Sequence, residues 1–201
     1  MQFFSEGMIE VLREFNYDIL DLIKSRWSPR AFSTEPVAMG DLLALCEAAR
    51  FAPSCFNEQP WRFILATTPD ELTKMQSILT ASNLEWAKHA PALLLILAKK
   101  TFSQNGQDNY WHMFDAGTAW GYLSLEAQSR GLITHGMGGF SKKKAQDLYQ
   151  LPLDLAPLAV IAIGKLGQSE NLPEHLRERE HPGGRSDLGS LFVKPSNRDG
   201  A

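Results

Sequence analysis

In this chain of 201 residues, the side chains best suited to hold an anion fall in one run, Arg26-Trp27-Ser28-Pro29-Arg30. Guanidinium forks bind oxyanions bidentately and stay charged at any working pH, so two of them around a hydroxyl suit a phosphate or another fixed anion. Two solvated arginines beside an exposed aromatic residue would give the same string. A second run, Pro53-Ser54-Cys55-Phe56-Asn57-Glu58-Gln59-Pro60-Trp61, sets hydroxyl and amide side chains between prolines that stiffen a loop. The amides of Asn57 and Gln59 donate and accept together, which matches a ring edge where carbonyl and N–H groups alternate. An ordinary capped loop before a core tryptophan competes with that reading. The third run, Gly136-Met137-Gly138-Gly139-Phe140, offers bare backbone N–H groups that can approach a flat ring, and a glycine-rich turn with no ligand explains it equally well. It is not a dinucleotide fingerprint, because GxGxxG would need glycine where Ser141 stands.

The elements that must position these runs follow from periodicity. Ile19, Leu22 and Ile23 are spaced for a helix over Asp18 to Arg26, ended by Pro29, so Arg26, Ser28 and Arg30 lie at its exit. Asp41 reads as the N-cap of a helix carrying Leu42, Leu45, Cys46 and Ala49 inward and stopping before Pro53. Arg62 to Ala66 reads as a strand, and Thr68, Pro69 and Glu71 as a capping-box start for a helix to about Leu79. Ala92 to Ala98 is continuously apolar, as expected of a strand buried on both faces in mid-sheet. From Asn109 to Arg130 the positions Phe114, Thr118, Tyr122, Leu125 and Ala127 suit a long central helix. Small residues Ala116, Gly117, Ala119 and Gly121 would allow close packing, and Gly131 suits the C′ position. Leu158 to Ile163 is a third buried strand. The polar tail after it cannot form a core alone and needs a surface to dock on.

Composition narrows the function. With 20 Lys+Arg against 23 Asp+Glu and a net charge of −3, no field suited to nucleic acid or anionic lipid is evident. Ala90 to Ala98 is less than half of the roughly 20 residues a membrane-spanning helix needs. The amino terminus lacks the basic start and cleavage site of an export signal, so a cytoplasmic setting is expected. Cys46 and Cys55 form no CxxC or Cys/His ligand spacing and read as small hydrophobes. The five histidines are scattered, which favours local hydrogen bonding over a metal. HExxH, a P-loop, a GxSxG elbow and a spaced carboxylate pair are all lacking. No repeat or long linker divides the chain, which reads as a single domain over 1–201.

Taken in order, Arg26-x-Ser28-x-Arg30-x-Phe32, Pro53-Ser54-x-x-Asn57-x-Gln59-Pro60-Trp61-x-Phe63, Gly138-Gly139-Phe140 and Gly184-Arg185 resemble the nitroreductase family of FMN-dependent oxidoreductases. The resemblance runs from about Tyr17 to Val193, and its most characteristic segment is Asn57-x-Gln59-Pro60-Trp61. It implies an α+β fold with a central mixed sheet wrapped by helices, in an intertwined homodimer with two FMN sites at the interface and the tail crossing onto the partner. By the same resemblance, Arg26 and Arg185 hold the FMN phosphate with Ser28 assisting, and Arg30 faces N1 and O2 of the flavin. Asn57 binds the pyrimidine edge, with Trp27, Pro53, Ser54, Cys55 and Gln59 around it. Gly136 and Met137 lead to the N–H groups of Gly138 and Gly139 near N5. Many relatives carry a bulkier or acidic residue at the place of Gly138, and Arg30 replaces a lysine common in some branches.

The implied reaction is a ping-pong hydride relay from NADH or NADPH through FMN to a small organic acceptor such as a nitroaromatic, quinone or enal, with no side-chain nucleophile. Relatives that dehalogenate or cleave the flavin, and a flavin-binding protein without turnover, are the alternatives. Lys99 to Asn109 corresponds to an excursion over the flavin face, which makes Phe102, Tyr110, Trp111 and His112 candidate acceptor-site residues. The same aromatics could merely pack the helix start against the sheet.

Overall fold

The computed structural model describes residues 13–193. Four strands, β1 (Trp61–Ala66), β2 (Ala92–Lys99), β3 (Ile133–Met137) and β4 (Leu155–Gly164), form one sheet in the order β1-β2-β4-β3. Every pair is antiparallel. The expected mixed sheet is thus corrected: among the described residues the sheet is antiparallel throughout. Among the described residues the α-helices are α1 (Asp21–Ser25), α2 (Met39–Arg50), α3 (Pro69–Gln76), α4 (Ala81–Ala87), α5 (His112–Ser129), α6 (Lys142–Leu148) and α7 (Glu174–Arg177).

Side chains alternate across a strand, so a wholly apolar strand serves two cores at once. On one face Leu93, Leu95, Leu97, Val160 and Ala162 pack with Met75, Ile78, Trp86, Phe140, Leu172 and Leu176. On the other, Leu94, Ile96, Ala98, Ile161 and Ile163 pack with Leu42, Leu45, Ala116, Ala119 and Leu123. The chain is therefore three layers, helix on sheet on helix, with β2 and β4 interior as expected of the apolar runs.

Local chemistry explains most boundaries. Thr68 and Glu71 close the capping box of α3, with Pro69 at its first position. Gly131, at φ +69°, takes the left-handed conformation that ends α5. Three readings are corrected. The first helix covers only Asp21–Ser25, because Leu20 is extended (ψ 134°) and no side chain caps the start. Ala38, not Asp41, occupies the N-cap of α2, and Asp41 lies in its first turn. Gly136 and Met137 belong to β3, so only Gly138 and Gly139 form the loop. The polar alternation of β3 hid that strand, as the lack of a periodic apolar stripe hid α4.

The inward face of α5 is Ala116, Ala119, Leu123 and Ala127. Phe114 and Tyr122, which the spacing assigned to the packed stripe, stand exposed on the opposite side with Met113 and Trp111. Ala116 and Ala119 do allow the close approach of α2, whereas Gly117 faces outward. None of the described helices is long and apolar enough to cross a membrane.

Candidate functional site

Arg26 sits at the C-cap of α1, and its guanidinium reaches the Ser28 hydroxyl at 3.4 Å. The segment that follows is carried from below by His135 on β3. The imidazole Nδ1–H donates to the Pro29 carbonyl at 2.9 Å, and Trp86 packs against the ring at 4.5 Å between centroids. Burial first, and then the nearby Arg30 and Arg26, push His135 down to about 4, against the hydrogen bonds to the Pro29 and Ser28 carbonyls. A neutral ring can thus serve as a fixed support under a cationic segment.

Two further charged residues complete this end. Arg13, 8% exposed, donates to the carbonyls of Lys24 (2.9 Å), Arg26 (3.0 Å) and Gly183 (3.2 Å). Arg185 donates to the carbonyls of Gly183 and Gly184 and lies close enough to lower both Arg13 and Arg26 from the usual guanidinium range, after burial. Among the described residues, none of these three arginines is ion-paired with a carboxylate. Three neighbouring guanidinium groups without a counter-charge form a site for a multiply charged oxyanion. The residues present therefore fit the phosphate end of FMN. Arg13 was not among the sequence candidates: it lies upstream of the recognisable stretch, and only its contacts identify it.

Arg30 is half-buried beside Glu180 and Arg179. Gly138 and Gly139 follow β3. The Gly139 carbonyl accepts from Thr80 N–H (3.0 Å), Thr80 Oγ1 (3.0 Å) and Asn83 Nδ2 (2.9 Å). A Cβ at Gly139 would lie 2.6 Å from Asn83 Nδ2, while one at Gly138 would meet nothing within 4 Å. Glycine is thus required at the second position for close packing, and the first is open. Trp27 is buried.

The Pro53–Pro60 loop is elsewhere. Cys55 N–H donates to Asp115 Oδ2 (3.1 Å) in the first turn of α5, and Gln59 N–H to Ser54 Oγ (2.9 Å). Phe56, Asn57 and Gln59 hold positive φ of 52°, 57° and 51°, a conformation L residues adopt only under constraint. Asn57 is exposed, and Pro53 with it. Phe102 packs edge-on against Phe56 at 5.9 Å, and Ser103 N–H and Oγ donate to Glu58 (2.8 and 2.6 Å). The excursion between β2 and α5 therefore docks on this loop, and its aromatics join this half of the site. Tyr110 and Trp111 are exposed, and His112 is tied to the Asn109 carbonyl at 2.6 Å.

The structure brings Arg26, Ser28, Arg30 and Arg185 to one end of α5 and Ser54, Cys55, Asn57, Gln59, Phe102 and His112 to the other, while β3 runs from Gly164 toward the middle of β4 and leaves Gly136 to Gly139 between them. Gln128, near the end of α5, touches Ser25 at 3.2 Å, whereas Asp115 at its start holds the loop. At about 1.5 Å per residue, those two anchors are about 20 Å apart along the helix.

An α+β chain that separates an oxyanion cluster from a strained amide loop has known counterparts. The nitroreductase family model matches residues 23–84 and 76–165. The chain belongs to that family. The structure is similar to a crystal structure of an oxidoreductase containing FMN, with a TM-score of 0.86, 34% identity, and 94% of this chain and 96% of that one covered. An NADH dehydrogenase of Thermus thermophilus is 26% identical over 181 residues, 75% of this chain and 87% of its own. An iodotyrosine deiodinase of Thermotoga neapolitana is 25% identical over 171 residues, 73% and 87% of the two chains.

Proposed function

We propose that this chain is a single-domain, FMN-dependent oxidoreductase that takes reducing equivalents from NADH or NADPH and passes them, by a ping-pong mechanism, to a small organic acceptor. The observation that carries the reading is the cluster of Arg13, Arg26 and Arg185, three guanidinium groups with no carboxylate paired to them among the described residues. When bound, FMN supplies the hydride chemistry, and the protein supplies position and charge.

In this reading Arg26 and Arg185 take the phosphate, with Ser28 donating from its hydroxyl. Arg13 adds field from behind, since its Nε and Nη1 donors are committed to the Lys24, Arg26 and Gly183 carbonyls. Arg30 places a cation toward the flavin ring, and the Gly138–Gly139 loop offers backbone N–H groups to it. Asn57 and Gln59 supply the amides that read the pyrimidine edge. Because they lie at the other end of α5, the site is completed by a second copy, giving a homodimer with two composite sites. Phe102, Tyr110, Trp111 and His112 then border the acceptor space. A cytoplasmic setting with ready access to NADH and NADPH belongs to the same reading.

Purified protein is expected to be yellow and to release one FMN per chain on heat denaturation. Colourless protein that takes up no added FMN overturns the proposal. Anaerobic mixing with NADH or NADPH should bleach the flavin band, and an unbleached band would leave a binding protein without turnover. The deiodinase relative makes halogenated phenols worth including beside nitroaromatics, quinones and enals when the pre-reduced protein is offered oxidants.

A further inference from the structure

Glu180 lies in the tail, 9% exposed, and points back into the arginine segment. Its Oε1 accepts from the backbone N–H groups of Arg30 (2.7 Å) and Ala31 (2.8 Å), 150 and 149 residues away in sequence. Its Oε2 is also buried and has no hydrogen-bond partner among the described residues. Burial raises this carboxyl above the usual range, against the two N–H groups and the charges of Arg30 and His181. A buried carboxylate costs stability unless it is compensated, so one retained on two backbone N–H groups and facing an arginine serves a purpose beyond filling space.

The neighbours show what that purpose is. Arg179 and His181 are exposed on either side, while Pro182 is buried, so the tail touches the body at Glu180 and again where Arg13 holds Gly183. Between them these two contacts fix the course of the chain into Arg185. The Arg30–Ala31 backbone is held by the same carboxylate, and the Ala31 carbonyl accepts from Gly167 N–H at 2.8 Å.

We infer that Glu180 is a positioning residue: its carboxylate pins the tail to the Arg30–Ala31 backbone, so that Arg185 and Arg30 are set together, and it stands as the counter-charge behind Arg30. The second half of this rests on the proposed FMN site, and the first does not.

Trypsin separates the two. Arg177, Arg179 and Arg185 are exposed, and cleavage beside them tracks how often the tail lifts. Glu180→Ala leaves two buried N–H groups without an acceptor and should raise the cleavage rate of the otherwise intact protein about tenfold or more, with FMN dissociation constants rising in parallel. Glu180→Gln keeps an oxygen acceptor and should restore both to within about twofold of the parent. Without the counter-charge, however, it should favour reduced over oxidised FMN by about threefold or more, because the field of Arg30 is no longer offset. A Glu180→Ala tail as protected as the parent's, or a Glu180→Gln variant as impaired as the alanine, overturns the anchor. An unchanged preference for reduced FMN in Glu180→Gln overturns the counter-charge. If the parent binds no FMN and Glu180→Ala still loosens the tail, the proposed function fails and the anchor stands.

Discussion

His135 supports a cationic segment by remaining uncharged. Its imidazole donates to the Pro29 carbonyl and is covered by Trp86, with Arg26 and Arg30 nearby, so a proton on the ring would be buried among like charges. The sign follows directly. The folded value, about 4, lies below the unfolded one near 6.5, so this contribution is complete above about pH 6.5 and is lost as pH falls toward 4. Denaturant unfolding of the parent should therefore lose up to about 3 kcal/mol across that window, and His135→Gln should lack this part of the slope. Equal slopes in parent and variant would show that His135 does not titrate with folding. The glycines make a second case. Gly139→Ala puts a methyl group against Asn83 and Thr80, which hold the Gly139 carbonyl, and should cost about 1–3 kcal/mol. Gly138→Ala meets open space and should change stability little, so unfolding midpoints that fail to separate the pair refute the packing argument.

Among the elements, the Pro53–Pro60 loop and α5 work as a unit. Three non-glycine residues in the left-handed region cost about 1 kcal/mol each, and the loop keeps them because Asp115, Ser54 and Glu58 hold its backbone and side chains. Burial raises Asp115, while Cys55 N–H and His112 act the other way, so this anchor is both enclosed and hydrogen-bonded. Asp115→Ala should relax the loop and weaken FMN binding about tenfold, whereas Asp115→Asn, which still offers an oxygen, should weaken it less. Flavin fluorescence titration measures both, and an alanine variant with parental affinity would show that the loop holds its shape unaided. The sequence made the loop, the arginine run, β1, β2 and β4 legible, because prolines, guanidinium groups and long apolar stretches are local signals. It left β3 and α4 unseen: Ile133-Thr134-His135-Gly136-Met137 is a short run interrupted by polar residues and a glycine, and Ala81–Ala87 lacks a periodic apolar stripe. Arg13, Asp115 and Glu180 act only through contacts distant in sequence, which spacing does not encode.

At the scale of the whole molecule, the two halves of the proposed site belong to one chain and yet lie at opposite ends of α5. Between them stand exposed apolar side chains: Trp111 at the N-cap of α5, Met113, Phe114 and Tyr122 on α5, and Leu43 and Met39 on α2. Beyond Arg185 the chain exposes Leu191, Phe192 and Val193. The tail from Leu172 to Pro182 docks on its own body through Leu172, Leu176 and Glu180, so the crossing onto a partner that the resemblance implies would start beyond it. Exposed apolar side chains of this size suit the interface of the proposed homodimer, and a two-fold pair would place the loop of each subunit at the arginine cluster of the other. Complementation tests this more sharply than mass. An Arg26→Ala/Arg185→Ala variant lacks the phosphate end, and an Asn57→Ala/Asp115→Ala variant lacks the loop, so neither homodimer should hold FMN tightly. In a mixed dimer one site combines both defects and the other combines neither. Random pairing of equal amounts makes half of the dimers mixed, so co-expression should restore about a quarter of the parental tight FMN sites. If the two halves served one chain, co-expression would restore none, and the composite site would be refuted whatever the oligomeric state.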